Sequence, residues 1–257
     1  MAKVIAIINQ KGGVGKTTTA VNLSALLGQR VLMIDLDPQG NTTSGLGMEV
    51  DDKSIYEVIM GRMKLTDVME ETEFKNLSIA GSDVRLANAE LELVEVEKRE
   101  YRLKTAVQSV QQDFDFIFID CPPSLGLLTI NALGAADSVL IPIQCEYYAL
   151  EGVASLMNTI SRVKKTINPH LEIEGVLLTM LDGRTNLGLQ VVDEVKKHFK
   201  KQVYATVIPR SVRLGEAPSH GEPIHVYDKR SAGCVAYVNL AKEVLKRNNI
   251  KVKEFKL

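Results

Sequence analysis

Residues Asn9 to Thr19 read NQKGGVGKTTT and directly follow the apolar run Val4–Ile8. Glycines let the backbone curl so that successive N–H groups point at phosphate oxygens. A helix opening near Lys16 would add its positive N-terminal end. The tail Gly15-Lys16-Thr17 matches the end of the phosphate loop G-x-x-x-x-G-K-[ST], but Gln10 stands where the first glycine belongs. What remains is K-G-G-x-G-K-T, with Lys11 as a second cation. The cradle expected here is Lys11, Gly12, Gly13, Val14, Gly15, Lys16, Thr17 and Thr18. Within it Lys16 would reach the β- and γ-phosphates of a nucleotide, and the Thr17 hydroxyl would ligate Mg²⁺.

Two more carboxylates suit the same chemistry. FIFID puts Asp120 at the C-terminal end of a buried strand, where open α/β sheets bind ligands. There it can hold a Mg²⁺-bound water. VLMIDLDPQGN puts Asp35 at a strand end, as a structural group, and Asp37 in the loop that follows. Asp37 is placed either to orient an attacking water or to cap a turn.

Positioning these groups takes a sheet. Apolar runs recur at Val4–Ile8, Val31–Asp35, Leu77–Ala80, Phe116–Asp120, Ser138–Ile143, Ile173–Met180 and Val203–Ile208. They are continuous rather than alternating, which suits parallel strands covered on both faces. Helical patterns at Thr18–Leu27, Asn88–Gln111, Leu127–Ala135, Leu150–Thr166, Leu187–Lys200 and Ala232–Arg247 lie between them. The expected fold is α/β: a doubly wound, mostly parallel sheet with helices on both faces, as one P-loop domain over 1–257. The polar stretch Glu49–Phe74 is expected to lie outside the sheet.

Composition is that of an ordinary globular chain, 45% hydrophobic and 25% charged, with net charge −1. The charge is uneven: residues 1–160 carry 22 acids against 13 bases, and residues 161–257 carry 10 against 18. That asymmetry fits a basic face for a polyanion, or solvated helices of different sign. Three cysteines without a C-x-x-C pair argue against disulfides and for a reducing cytosol. Neither a signal peptide nor a membrane span is expected.

The motifs NQKGGVGKTT, DLDPQGNTTSGLG, DCPPSLGLLTINAL, IPIQCEYYALEG, VLLTMLDGRTNLG and VIPRSVRLGEAPSHG together resemble the ParA/Soj-type chromosome-partitioning ATPases of the deviant Walker A, ParA/MinD superfamily. The resemblance runs from Lys3 to about Leu245. It implies slow, partner-stimulated ATP hydrolysis with Mg²⁺, in a homodimer that sandwiches ATP. Lys11 would cross to the partner's phosphates and, with Lys16 and Asp37, make up the catalytic set. A side chain at Gly12 would block the close approach. Pro209 would contact adenine, although Ser211 and Gly215 depart from the family's usual Asn and Ser. Arg184 and Arg213 would bind double-stranded DNA without sequence preference, with Lys196, Lys197, Lys200 and Lys201 as weaker candidates. A ParB/Spo0J-type protein would be the partner, and the location cytoplasmic and nucleoid-associated. With no helix-turn-helix before the phosphate loop, operator-specific repression is not expected.

Three rival readings exist. A MinD-like, membrane-associated division-site ATPase needs an amphipathic C-terminal helix. Here Val238, Leu240, Ala241, Val244 and Leu245 read instead as a core-covering side. An iron–sulfur carrier needs paired cysteine ligands, and Cys121 and Cys145 do not match that pattern. A nucleotide-dependent scaffold without turnover would have no use for Asp37.

Overall fold

The computed structural model describes residues 1–146 and 152–252. Eight strands form one sheet: β1 (Lys3–Ile7), β2 (Val31–Asp35), β3 (Met69–Glu71), β4 (Leu77–Ala80), β5 (Phe116–Asp120), β6 (Ser138–Gln144), β7 (Glu172–Leu181) and β8 (Val203–Pro209). Their order is β3-β4-β2-β5-β1-β6-β7-β8, and every pairing is parallel except β3 with β4.

Period-two side-chain direction splits each central strand between two cores. Val4, Ala6, Ile8, Leu32, Ile34, Ile117 and Ile119 enter one. Ile5, Ile7, Val31, Met33, Phe116 and Phe118 enter the other. The first core is closed by α3 (Ile55–Ile59), α5 (Arg102–Gln108), α6 (Leu127–Ala135), α7 (Val153–Thr166) and α8 (Asn186–Phe199). The second is closed mainly by α1 (Lys16–Leu26) and α11 (Ala232–Arg247). Each buried Ile, Leu or Phe contributes about 1.5–3 kcal/mol, against about 0–1 for an exposed ion pair. The two cores, not the surface charges, therefore hold the sheet.

Leu240, Ala241, Val244 and Leu245 of α11 lie in the second core, so its apolar side is spent inside the protein. Among the described residues, no helix is long and apolar enough to cross a membrane.

Two expectations need correction. Met69–Glu71, inside the stretch expected to lie outside the sheet, joins it as the antiparallel edge strand. A tight return fixes it: the Thr72 N–H and hydroxyl both donate to the Leu77 carbonyl, and Asn76 takes φ 62°. The helix expected over Asn88–Gln111 is broken into α4 (Ala89–Glu92), a 3₁₀ turn at Arg99–Tyr101 and α5. Tertiary hydrogen bonds outweigh local propensity there. The Arg99 guanidinium takes the Leu93 and Val94 carbonyls, while Asn131 accepts from Leu103 N–H and donates to the Arg99 carbonyl. The expected helix start at Leu150, and part of IPIQCEYYALEG, lie outside the described residues.

The remaining helices are short: α2 (Asn41–Gly45), α9 (Val212–Glu216) and α10 (Ile224–Tyr227). After α2, Gly47 meets Gly221 backbone to backbone, with φ 70° and 67°. A Cβ on Gly221 would sit 2.7 Å from the Gly47 Cα, and no flexible side chain is there to give way. Gly221→Ala should therefore cost about 1–3 kcal/mol, from the overlap and the left-handed backbone. Urea unfolding checks this, and a loss under about 0.5 kcal/mol would show that the two turns separate freely.

Candidate functional site

The phosphate-type loop leaves the end of β1 and is tied down by three hydrogen bonds. Asn9 donates to the Pro142 carbonyl at 2.7 Å and accepts the Lys11 N–H at 3.0 Å. The Thr179 hydroxyl donates to the Val14 carbonyl at 2.9 Å. Gly13 and Gly15 take φ 71° and 87°, a curl that L side chains resist. α1 starts at Lys16, directly beneath it.

Asp120, at the end of β5, is the hub. Its Oδ2 accepts the hydroxyls of Thr17 and Thr42, each at 2.7 Å. Its Oδ1 is buried without a hydrogen-bond partner among the described residues. A buried carboxylate oxygen with no donor, next to a threonine hydroxyl at a helix N-terminus, is the donor set of a hard divalent cation and its waters. The Lys16 ammonium is buried too and donates to the Lys11 carbonyl at 3.3 Å. Desolvation lowers its pKa, and Asp120, Cys121 and Asp37 pull it back up.

Asp37 is buried in the loop after β2, and its Oδ1 accepts the Gln39 N–H at 3.0 Å. The turn-capping expectation is thus met, and the carboxylate also lies close enough to raise the Asp120 pKa. Asp35 is structural in its contacts: it accepts the Thr43 N–H and hydroxyl at 2.9 and 2.7 Å and the Asp37 N–H at 3.2 Å.

Lys11 does not enter its own cradle. Its side chain is half-exposed, with Nζ 3.9 Å from Glu146 Oε2. Glu146 in turn holds Arg210 at 2.9 Å. Pro209 helps line a cavity of about 220 Å³ with Gly15, Thr18, Met180, Leu214 and Tyr237. It opens beside the loop and is of a size to take a flat ring. A groove of about 560 Å³ beside Val58 and Arg102 is larger, but it shares no residue with the loop or the carboxylates.

Arg184 sits in the turn after β7 and Arg213 in α9, a helix of little more than one turn; both are exposed. Lys196 and Lys197 end α8, and Lys200 and Lys201 follow in a 3₁₀ turn. Sequence reading missed Thr42, Thr43, Thr179 and Glu146. The doubled threonine after DPQGN was the one available signal. The others act through pairings across the sheet.

Burial and repulsion from Asp120 raise Asp35 to about 7, and burial first of all raises Asp120 to about 6. Both carboxyls keep their protons more readily in the folded chain than in the unfolded one. Their stabilising contribution is complete below about pH 4 and is lost as pH rises through about 6 to 7. Without nucleotide, the melting temperature of wild type relative to Asp35→Asn should fall by a few degrees between about pH 5 and 8. A difference independent of pH would remove Asp35 as the source.

Residues 2–173 match the protein family described as an AAA domain. The chain is 59% identical over 249 residues to the sporulation initiation inhibitor protein Soj of Bacillus subtilis, covering 95% of this chain and 98% of Soj. It is 51% identical over 256 residues to the chromosome partitioning protein ParA of Myxococcus xanthus, covering 98% and 90%. Among solved structures it resembles cobyrinic acid a,c-diamide synthase from Mycobacterium smegmatis, solved with an ATP analogue and magnesium. That likeness has TM-score 0.85 and 37% identity, covering 97% of this chain and 96% of that one.

Proposed function

The chain belongs to the Soj/ParA family of chromosome-partitioning ATPases, and from that premise we propose a Mg²⁺-ATP-switched dimer that carries DNA. Two copies close face to face over two ATP molecules and bind duplex DNA without sequence preference. Hydrolysis, slow alone and prompted by a ParB/Spo0J-type partner, lets them part. The protein works as one ATPase unit in the cytoplasm, on the nucleoid.

One observation carries this reading. Lys16, Thr17 and Asp120 converge beneath the loop, while Lys11 stands outside it on Glu146. A lysine on the rim, five residues before the buried one and held only by a loose pair with Glu146, can serve phosphates presented by a second subunit. Two opposed triphosphates repel, and each added ammonium offsets that repulsion.

The roles follow. Backbone N–H groups of Gly12 to Thr18 bind the phosphates, and Lys16 holds the β- and γ-oxygens. Thr17 and Asp120, the latter through water, would hold Mg²⁺, which when bound offsets the charge gathered on those oxygens. Asp37 orients the attacking water, and Lys11 from the second subunit steadies the γ-phosphate. The cavity at Pro209 takes the adenine. Its lining residues, Met180, Leu214 and Tyr237 among them, offer mostly shape. Arg184 and Arg213 contact DNA phosphates, so affinity should fade with salt.

Size-exclusion chromatography with light scattering tests this. With Mg²⁺ and a non-hydrolysable ATP analogue, wild type should be dimeric and Lys11→Ala and Gly12→Val monomeric. Asp37→Ala should dimerise, accumulate on DNA and lose phosphate release by at least about tenfold. A wild-type chain that stays monomeric when saturated with the analogue would overturn the proposal.

A further inference from the structure

The basic edge of the sheet carries its own counter-anions. β7 and β8 are neighbours, in register at Leu181 and Pro209, so the turns that follow them lie side by side. The Arg210 N–H donates to the Leu181 carbonyl at 3.1 Å and locks the two together. Each arginine on these turns is already engaged. Arg184 grips Asp182 with both arms of its fork, Nε to Oδ1 at 2.9 Å and Nη2 to Oδ2 at 2.8 Å. Arg213 donates to Glu216 at 2.9 Å and has Asp228 at 3.5 Å from Nε. The Tyr227 hydroxyl holds Glu216 in place at 3.1 Å.

We propose that Asp182 and Glu216, seconded by Asp228, are built-in phosphate mimics that keep the isolated subunit off DNA. The inference rests on the DNA-binding reading above and names its regulation. A bidentate guanidinium–carboxylate pair uses the same donors as a guanidinium–phosphate pair. A DNA phosphate that takes those same donors must displace the carboxylate, and one that takes the donors left over meets a guanidinium whose charge is already offset; either way the gain is small. The displaced carboxylate stays within a Debye length, about 8 Å at physiological salt, of the phosphate backbone and repels it. Such exposed pairs are individually weak, so they do not abolish binding. They set a threshold that one subunit's arginines fail to pass. A closed dimer presents two such edges on one duplex, and effective concentration multiplies their small gains. ATP dependence of DNA binding then arises from charge counting, without the arginines having to move.

The variants that test this keep the local structure. Asp182→Asn retains an oxygen for the Arg184 N–H, which Asp182 also accepts at 3.1 Å. Glu216→Gln retains an oxygen for Tyr227. Glu70→Gln/Glu71→Gln, on β3 at the opposite edge of the sheet, matches the change in net charge. Binding of a labelled random-sequence duplex is followed by fluorescence anisotropy in ADP and in the non-hydrolysable ATP analogue, with thermal melts to verify folding. Asp182→Asn/Glu216→Gln should tighten binding about tenfold or more in ADP, where the β3 control changes it less than about threefold, and should narrow the ratio between ATP and ADP states. Arg184→Ala/Arg213→Ala serves as the reference. If that variant binds DNA like wild type, the DNA reading of these arginines is wrong. If it loses DNA while the carboxylate variant merely equals the β3 control, the DNA reading stands and the mimic is refuted.

Discussion

A single buried carboxylate holds the site together. Asp120 ends a strand in the middle of the sheet, and its Oδ2 gathers one hydroxyl from α1 and one from α2. Those two helices follow different strands and otherwise meet only by packing. Through Asp120 the loop after β1, the loop after β2 and the end of β5 share one atom as their common point. The parallel register makes this possible, since Ile7, Asp35 and Asp120 stand abreast on β1, β2 and β5. In an antiparallel sheet those three strand ends would not fall on the same edge.

The arrangement is electrostatically unfinished. Three carboxylates and an ammonium are buried within it, and Asp35 and Asp120 are both pushed toward their neutral forms. One Asp120 oxygen lacks a donor among the described residues. Such groups are tolerated because the surrounding strands are locked by two apolar cores. A ligand carrying anionic oxygens and a divalent cation would supply what each buried group lacks: negative charge for Lys16, positive charge for Asp120. The chain thus keeps unfavourable polar burial at a place where such a ligand would relieve it.

Much of this was legible in the sequence. The strands following apolar runs fall within a residue or two of expectation. The loop glycines, Lys16, Thr17, Asp37 and Asp120 come together as their spacing implies, because each sits at a strand end of one parallel sheet. The failures share a cause. The break in Asn88–Gln111 is set by Arg99 and Asn131, and the edge strand Met69–Glu71 by its pairing with β4. None of these partners shows in hydrophobic periodicity: Arg99 bonds Val94 within the same segment, Asn131 reaches Leu103 from another helix, and Met69–Glu71 pairs with Ser78–Ala80. Thr42, Thr179 and Glu146 were missed for the same reason, because a threonine or glutamate acquires meaning only from what the fold places opposite it.

The basic edge is less separate from the loop than its position in sequence suggests. The turn from Ala217 to Ile224, which leads on from Arg213, is held from two sides. Asn22 on α1 accepts the Ile224 N–H at 2.6 Å, and Gly47, just beyond α2, abuts Gly221. One clamp belongs to the helix beneath the phosphate loop. The other belongs to the segment that follows Asp37. A backbone-to-backbone contact has no side chain to absorb displacement, so a shift of α2 must be met by a shift of this turn or by loss of the contact. The arginine edge is therefore built onto the same rigid frame as the phosphate cradle.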